Sequence, residues 1–98
     1  MVVTMLEARL PDDQGAVLID EYGAATAGDA LPPVIVETFL LHAAGSDLWR
    51  IVTVWASQDA LDQYRESVET PEGVRMFRAA GAEPSLTIFD VEAHAAQP

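Results

Sequence analysis

The 98-residue chain contains no cysteine and no lysine. The first absence removes disulfides, thiolate nucleophiles and thiolate metal ligands together. The second removes Schiff-base chemistry and the lysine of a phosphate-binding loop. Basic residues are scarce: five arginines stand against sixteen acids, for a net charge of −11. A nucleic-acid binder neutralises phosphates with basic side chains, so nucleic acid is a poor partner here, and so is an anionic membrane surface. No apolar run approaches the roughly 20 residues that cross a bilayer. The start, Met1 to Glu7, lacks the basic region of a secretory signal, and a cytoplasmic location is expected. Two histidines, His42 and His94, fall short of the three or four converging ligands that a metal site needs, so no metal is expected. There is no glycine-rich phosphate loop and no Gly-x-Ser-x-Gly elbow.

What is present is apolar. Half of the chain is hydrophobic, enough for one core. A domain of this size buries only roughly 60–70% of the surface its unfolded chain exposes, so apolar contact with a second copy would help. Residues 1–92 read as a single domain and 93–98 as a loose tail.

The stretch from Trp49 to Pro84 organises the rest. Trp49-Arg50-Ile51-Val52-Thr53-Val54-Trp55 is a strand, followed at once by a helix that opens at Ser57, breaks at Thr70-Pro71 and restarts through Phe77 to Ala80. Ser57 suits an N-cap, and Thr70 before Pro71 suits a second one. Ahead of it, Val2 to Leu10 alternates as a strand, with Thr4, Leu6, Ala8 and Leu10 on one face. A first helix is expected from about Asp13 to Ala27, entered through Pro11-Asp12-Asp13 and closed by Gly28. Its stripe is Leu18, Tyr22 and Ala25, with Ile19 beside them. Gly15 and Gly23 each cost such a helix about 1 kcal/mol relative to alanine.

Val34 to His42 and Leu48 to Ala56 form a hairpin around Gly45-Ser46. That turn sets His42 opposite Trp49, Leu40 opposite Ile51, Thr38 opposite Thr53 and Val36 opposite Trp55. The other face pairs Leu41 with Arg50, Phe39 with Val52 and Glu37 with Val54. Both faces are mostly apolar, so both must be covered. One can be covered by the chain's own helices; the other calls for a homodimer. Aspartate at Trp49 is then expected to split or unfold the protein if that face lies at the dimer seam. A last strand, Leu86 to Val91, gives the order strand, helix, strand, strand, helix, strand. This is an α+β, ferredoxin-like βαββαβ arrangement with an antiparallel sheet.

At Trp55-Ala56-Ser57-Gln58-Asp59-Ala60-Leu61 the sequence resembles the antibiotic biosynthesis monooxygenase superfamily, which shares this passage from strand to helix. Chain length, element order and the opening Glu7-Ala8-Arg9-Leu10 extend the likeness over nearly the whole chain. The resemblance implies two ferredoxin-like monomers pairing sheet to sheet as a dimeric α/β barrel, each with a pocket between sheet and helices. It implies a cofactor-independent oxygenase or tailoring enzyme acting on an aromatic, polyketide-like molecule. The alternative is a non-catalytic barrel that binds a small molecule or supports a pathway partner. Haem-degrading members use an asparagine late in the first strand and a tryptophan and a histidine in the second helix. The matching positions here are Ala8 and Tyr64, with no histidine between Ser57 and Gly81 and no asparagine anywhere. The polyketide oxygenases also lean on asparagine, so the chain departs from that pattern as well.

Within this frame, Trp55, Tyr64 and Phe77 form either an aromatic pocket for a flat substrate or plain core, with Tyr22 closing it. Tyr64 and Tyr22 are candidate hydrogen-bond donors, and Arg78 a candidate to steady developing negative charge. His42 fits a general base or a strand-end imidazole stacked on Trp49, and the second is favoured. Glu37, inside an apolar strand, costs several kcal/mol if buried unpaired. It is either a pocket base or, preferably, an ion-pair partner of Arg50 or Arg9 across the dimer.

Overall fold

A computed structural model describes residues 1–98. The elements are β1 (Val2–Arg9), α1 (Gly15–Thr26), β2 (Ile35–His42), β3 (Leu48–Trp55), α2 (Gln58–Ser67), α3 (Glu72–Ala79) and β4 (Ser85–Asp90). The four strands form one antiparallel sheet in the order β2-β3-β1-β4, which is the ferredoxin-like topology. Residues 91–98 form no helix or strand.

Strand alternation decides which face the helices cover. Val2, Thr4 and Leu6 of β1 and Trp49, Ile51, Thr53 and Trp55 of β3 are buried, while their neighbours are half-buried. Trp49 is therefore on the helix side, not at the bare face. The expected hairpin register holds from His42↔Trp49 to Glu37↔Val54 and then fails. A bulge at Val36 sets Ile35, not Val36, opposite Trp55 and leaves Val36 exposed. Extra residues of this kind are common at sheet edges, and β2 is an edge strand.

The helix ends differ from expectation in two places. α1 begins at Gly15, after a turn over Asp12–Gln14, and no side chain caps it. Ile19, expected beside the buried stripe, is half exposed, whereas Leu18 is wholly buried. Ser57 caps α2 as its side chain predicts, its Oγ accepting from Ala60 N–H at 3.0 Å. Thr70 does not cap α3. Pro71 holds that position, and the Tyr64 hydroxyl accepts from Glu72 N–H at 3.0 Å instead. Val68 and Pro71 are extended with bends at Glu69 and Thr70 between them, and this link sets the Tyr64 hydroxyl beside the first turn of α3.

The core lies in two parts. One cluster holds Leu6, Leu10, Leu18, Trp49, Ile51, Met76, Phe77 and Ala80; the other holds Val2, Trp55 and Leu61. Between them on β1 and β3 lie Thr4 and Thr53. The opposite sheet face carries no helix. Phe39, Leu41 and Phe89 are exposed there, with Val3, Met5, Val52 and Val54 half-buried between them.

Candidate functional site

The gap between the two core clusters opens into a cavity of about 750 Å³ between the sheet and the helices. Its floor is Thr4, Leu6, Thr38, Ile51, Thr53 and Trp55; α1 contributes Tyr22, Ala25 and Thr26, and α2 contributes Leu61, Tyr64 and Arg65. The link between α2 and α3 supplies Val68 to Pro71. Small side chains on α1 and a helix interrupted where it crosses the sheet leave space that larger residues would fill. The volume falls within the roughly 300–1,000 Å³ of small-molecule sites.

Three threonines cross the floor in register. Thr38 faces Thr53, and Thr53 faces Thr4, all on the helix side of the sheet. The Thr38 and Thr53 hydroxyls lie 3.1 Å apart, and Trp55 Nε1–H donates to Thr4 Oγ1 at 2.9 Å. Trp55 and Tyr64 pack as a tilted pair with centroids 5.0 Å apart. Thr4 and Thr53 were not singled out from the sequence. The available signal was the Thr38–Thr53 pairing together with Thr4 on the Leu6 face.

Of the residues expected to serve the site, Tyr22, Trp55, Tyr64 and Arg78 line the cavity. Phe77 does not: it is completely buried in the larger core cluster and has no surface to offer a ligand. His42 lies outside the cavity beside the β2–β3 turn, stacked on Trp49 at 4.0 Å and 5°. Its Nε2 lies 2.6 Å from the Ser46 carbonyl, which only accepts, so that nitrogen carries a hydrogen. Glu37 projects from the bare sheet face opposite Val54, on the far side of the sheet from the cavity. Its two suggested partners are occupied within the chain, Arg50 by Glu7 and Arg9 by Asp47.

The charged rim is mostly spent. Arg78 grips Glu83 through two hydrogen bonds of 2.9 and 2.8 Å. Those bonds raise the Arg78 pKa and hold Glu83 below the ordinary carboxylate range. Arg75 bonds Glu72 and Glu21, which raises its pKa and ties α3 to α1. Arg65 forms no ion pair with a carboxylate of the chain. No three His, Asp or Glu side chains converge as a metal site.

No protein-family model and no curated protein matches the sequence. Solved structures do. An antibiotic biosynthesis monooxygenase superposes with a TM-score of 0.69 over 95% of this chain and 100% of its own, at 12% identity. The chain has the antibiotic biosynthesis monooxygenase fold. The same fold is matched in SnoaB, a cofactor-independent oxygenase from Streptomyces nogalater, with a TM-score of 0.70, 17% identity and coverage of 98% of this chain and 97% of that one. The heme-degrader MhuD from Mycobacterium tuberculosis, with two hemes bound in its active site, gives a TM-score of 0.70 at 20% identity over 98% of this chain and 100% of its own. Neither histidine of the present chain lines the cavity.

Proposed function

We propose that this protein is a cofactor-independent oxygenase or tailoring enzyme for an aromatic, polyketide-like small molecule, working as a homodimeric α/β barrel. The observation that carries this reading is the cavity between the two core clusters, walled by apolar groups and bordered by Trp55, Tyr64 and Tyr22. A flat, electron-rich substrate fits such a slot and reacts with oxygen itself once deprotonated. For an anthrone, the ring methylene becomes a carbonyl: one oxygen atom enters the product and the other leaves as water. The protein's part is to bind, orient and stabilise the anion. The Tyr64 hydroxyl accepts from Glu72 N–H and keeps its own hydrogen to donate to a substrate oxygen.

Oxygen uptake with a panel of anthrones and quinols tests this. Uptake above the uncatalysed rate is expected, reduced about tenfold in Tyr64→Phe, as the loss of one well-placed hydrogen bond implies, and unchanged in His42→Ala. Melting curves separate lost chemistry from the lost α3 cap. No uptake above background for any substrate sinks the enzyme reading. A non-catalytic binding barrel then stands in its place. The position of His42 and Glu37 favours that second reading, since neither candidate base reaches the cavity.

A further inference from the structure

α3 meets the floor of the cavity at a glycine. Gly73 lies in the first turn of α3, and a Cβ there would stand 2.6 Å from Leu6 Cδ1 and 3.8 Å from Ile51 Cδ1. Leu6, Ile51 and Gly73 all line the cavity. The backbone at Gly73 does not have the positive φ that favours glycine, so conformation does not call for it. Glycine is also a poorer helix former than alanine. What remains is space.

Stability by itself does not call for that space. The atom in the way is the end of a leucine side chain, which can turn about its own bonds. Leu6 is buried in the larger core cluster, yet it also forms part of the cavity wall, so the cavity is where its displaced methyl would go. Gly15 is the contrast. The atoms a Cβ would meet there belong to the Trp49 ring, which is buried and does not line the cavity. A chain with no use for the cavity would gain from alanine at position 73, through helix propensity and through a smaller void.

We propose that Gly73 is a specificity-determining residue: by letting α3 rest on Leu6 without a side chain, it keeps the Leu6 methyl out of the cavity and so sets the size of molecule the cavity accepts. This rests on the reading of the cavity as a small-molecule site and names the residue that limits what fits. The test compares wild type, Gly73→Ala and Gly73→Ala combined with Leu6→Val. The probes are 2-naphthol and 9-phenanthrol, flat molecules that differ by one fused ring, titrated by calorimetry. Wild type is expected to bind 9-phenanthrol more tightly, because the larger probe buries more apolar area. Gly73→Ala is expected to weaken 9-phenanthrol about tenfold, as overpacking does, and 2-naphthol by less than about twofold. Leu6→Val shortens the side chain in the way and is expected to restore the wild-type ranking. The melting temperature of Gly73→Ala is expected to stay at or above that of wild type, while that of Gly15→Ala falls. A fall in Gly73→Ala to match Gly15→Ala makes the glycine a packing requirement and overturns the inference. An unchanged ranking of the probes in Gly73→Ala overturns it too, as does a double variant that recovers nothing. Each of these leaves the small-molecule reading standing, because wild type still binds. Binding of neither probe to wild type overturns the size limit, and overturns the small-molecule reading with it if the oxygen-uptake panel is also blank.

Discussion

Gly15 and Gly23 lie in the same helix and meet opposite surroundings. A Cβ on Gly15 would sit 2.7 Å from Trp49 Cζ2, whereas one on Gly23 meets nothing within 4 Å. The Trp49 ring is buried and stacked on His42, so it has little room to retreat. Gly15→Ala is therefore expected to lower stability by about 1–3 kcal/mol, the usual cost of overpacking. Gly23→Ala is expected to raise it by about 0.5–1 kcal/mol through helix propensity. Denaturant melts of the two variants check the signs. From sequence the two glycines are equivalent helix weaknesses; only the tertiary contact with Trp49 shows that one is required. Glu37 and His42 teach the same lesson. Their chemistry is readable from the sequence, but the bare sheet face and the β2–β3 turn are where the fold puts them.

At the scale of elements, the two halves of the interrupted helix start by different means. α2 relies on Ser57, a local cap three residues before the Ala60 amide it receives, and α3 relies on Tyr64, eight residues before the amide it receives. Ser57→Ala is expected to cost about 1 kcal/mol, a typical N-cap loss. Tyr64→Phe is expected to cost a similar amount and to raise amide hydrogen exchange in the first turn of α3 without affecting the first turn of α2. Exchange measured residue by residue distinguishes the two. The first cap was legible because serine before a helical pattern is a local signal. The second was not, because it depends on the path the chain takes between Ser67 and Pro71.

For the whole molecule, the sheet face with Phe39, Leu41 and Phe89 is the surface that the proposed homodimer covers. Sedimentation is expected to show a dimer that Phe39→Asp converts to monomer. Trp49→Asp, on the helix side, is expected to unfold the chain instead of merely separating two copies. Each copy carries a charge of −11, so association works against like-charge repulsion. The dimer fraction should therefore rise as salt increases from about 0.01 M to about 0.15 M, where the screening length falls from about 30 Å to about 8 Å. A monomer at every salt concentration would contradict the barrel.

The sequence by itself determined the element order, the sheet topology and nearly all of the hairpin register. These follow from period, turn residues and caps, which act over a few neighbours. It also raised Trp55, Tyr64 and Phe77, with Tyr22 beside them, as either a pocket or plain core, and left that choice open. The tertiary structure decided that the core splits at the threonine row, that Phe77 is filled in and not open, and that Arg65 rather than Arg78 is left unpaired. Each of these depends on what approaches from elsewhere in the chain, and side-chain pattern carries no record of that distance.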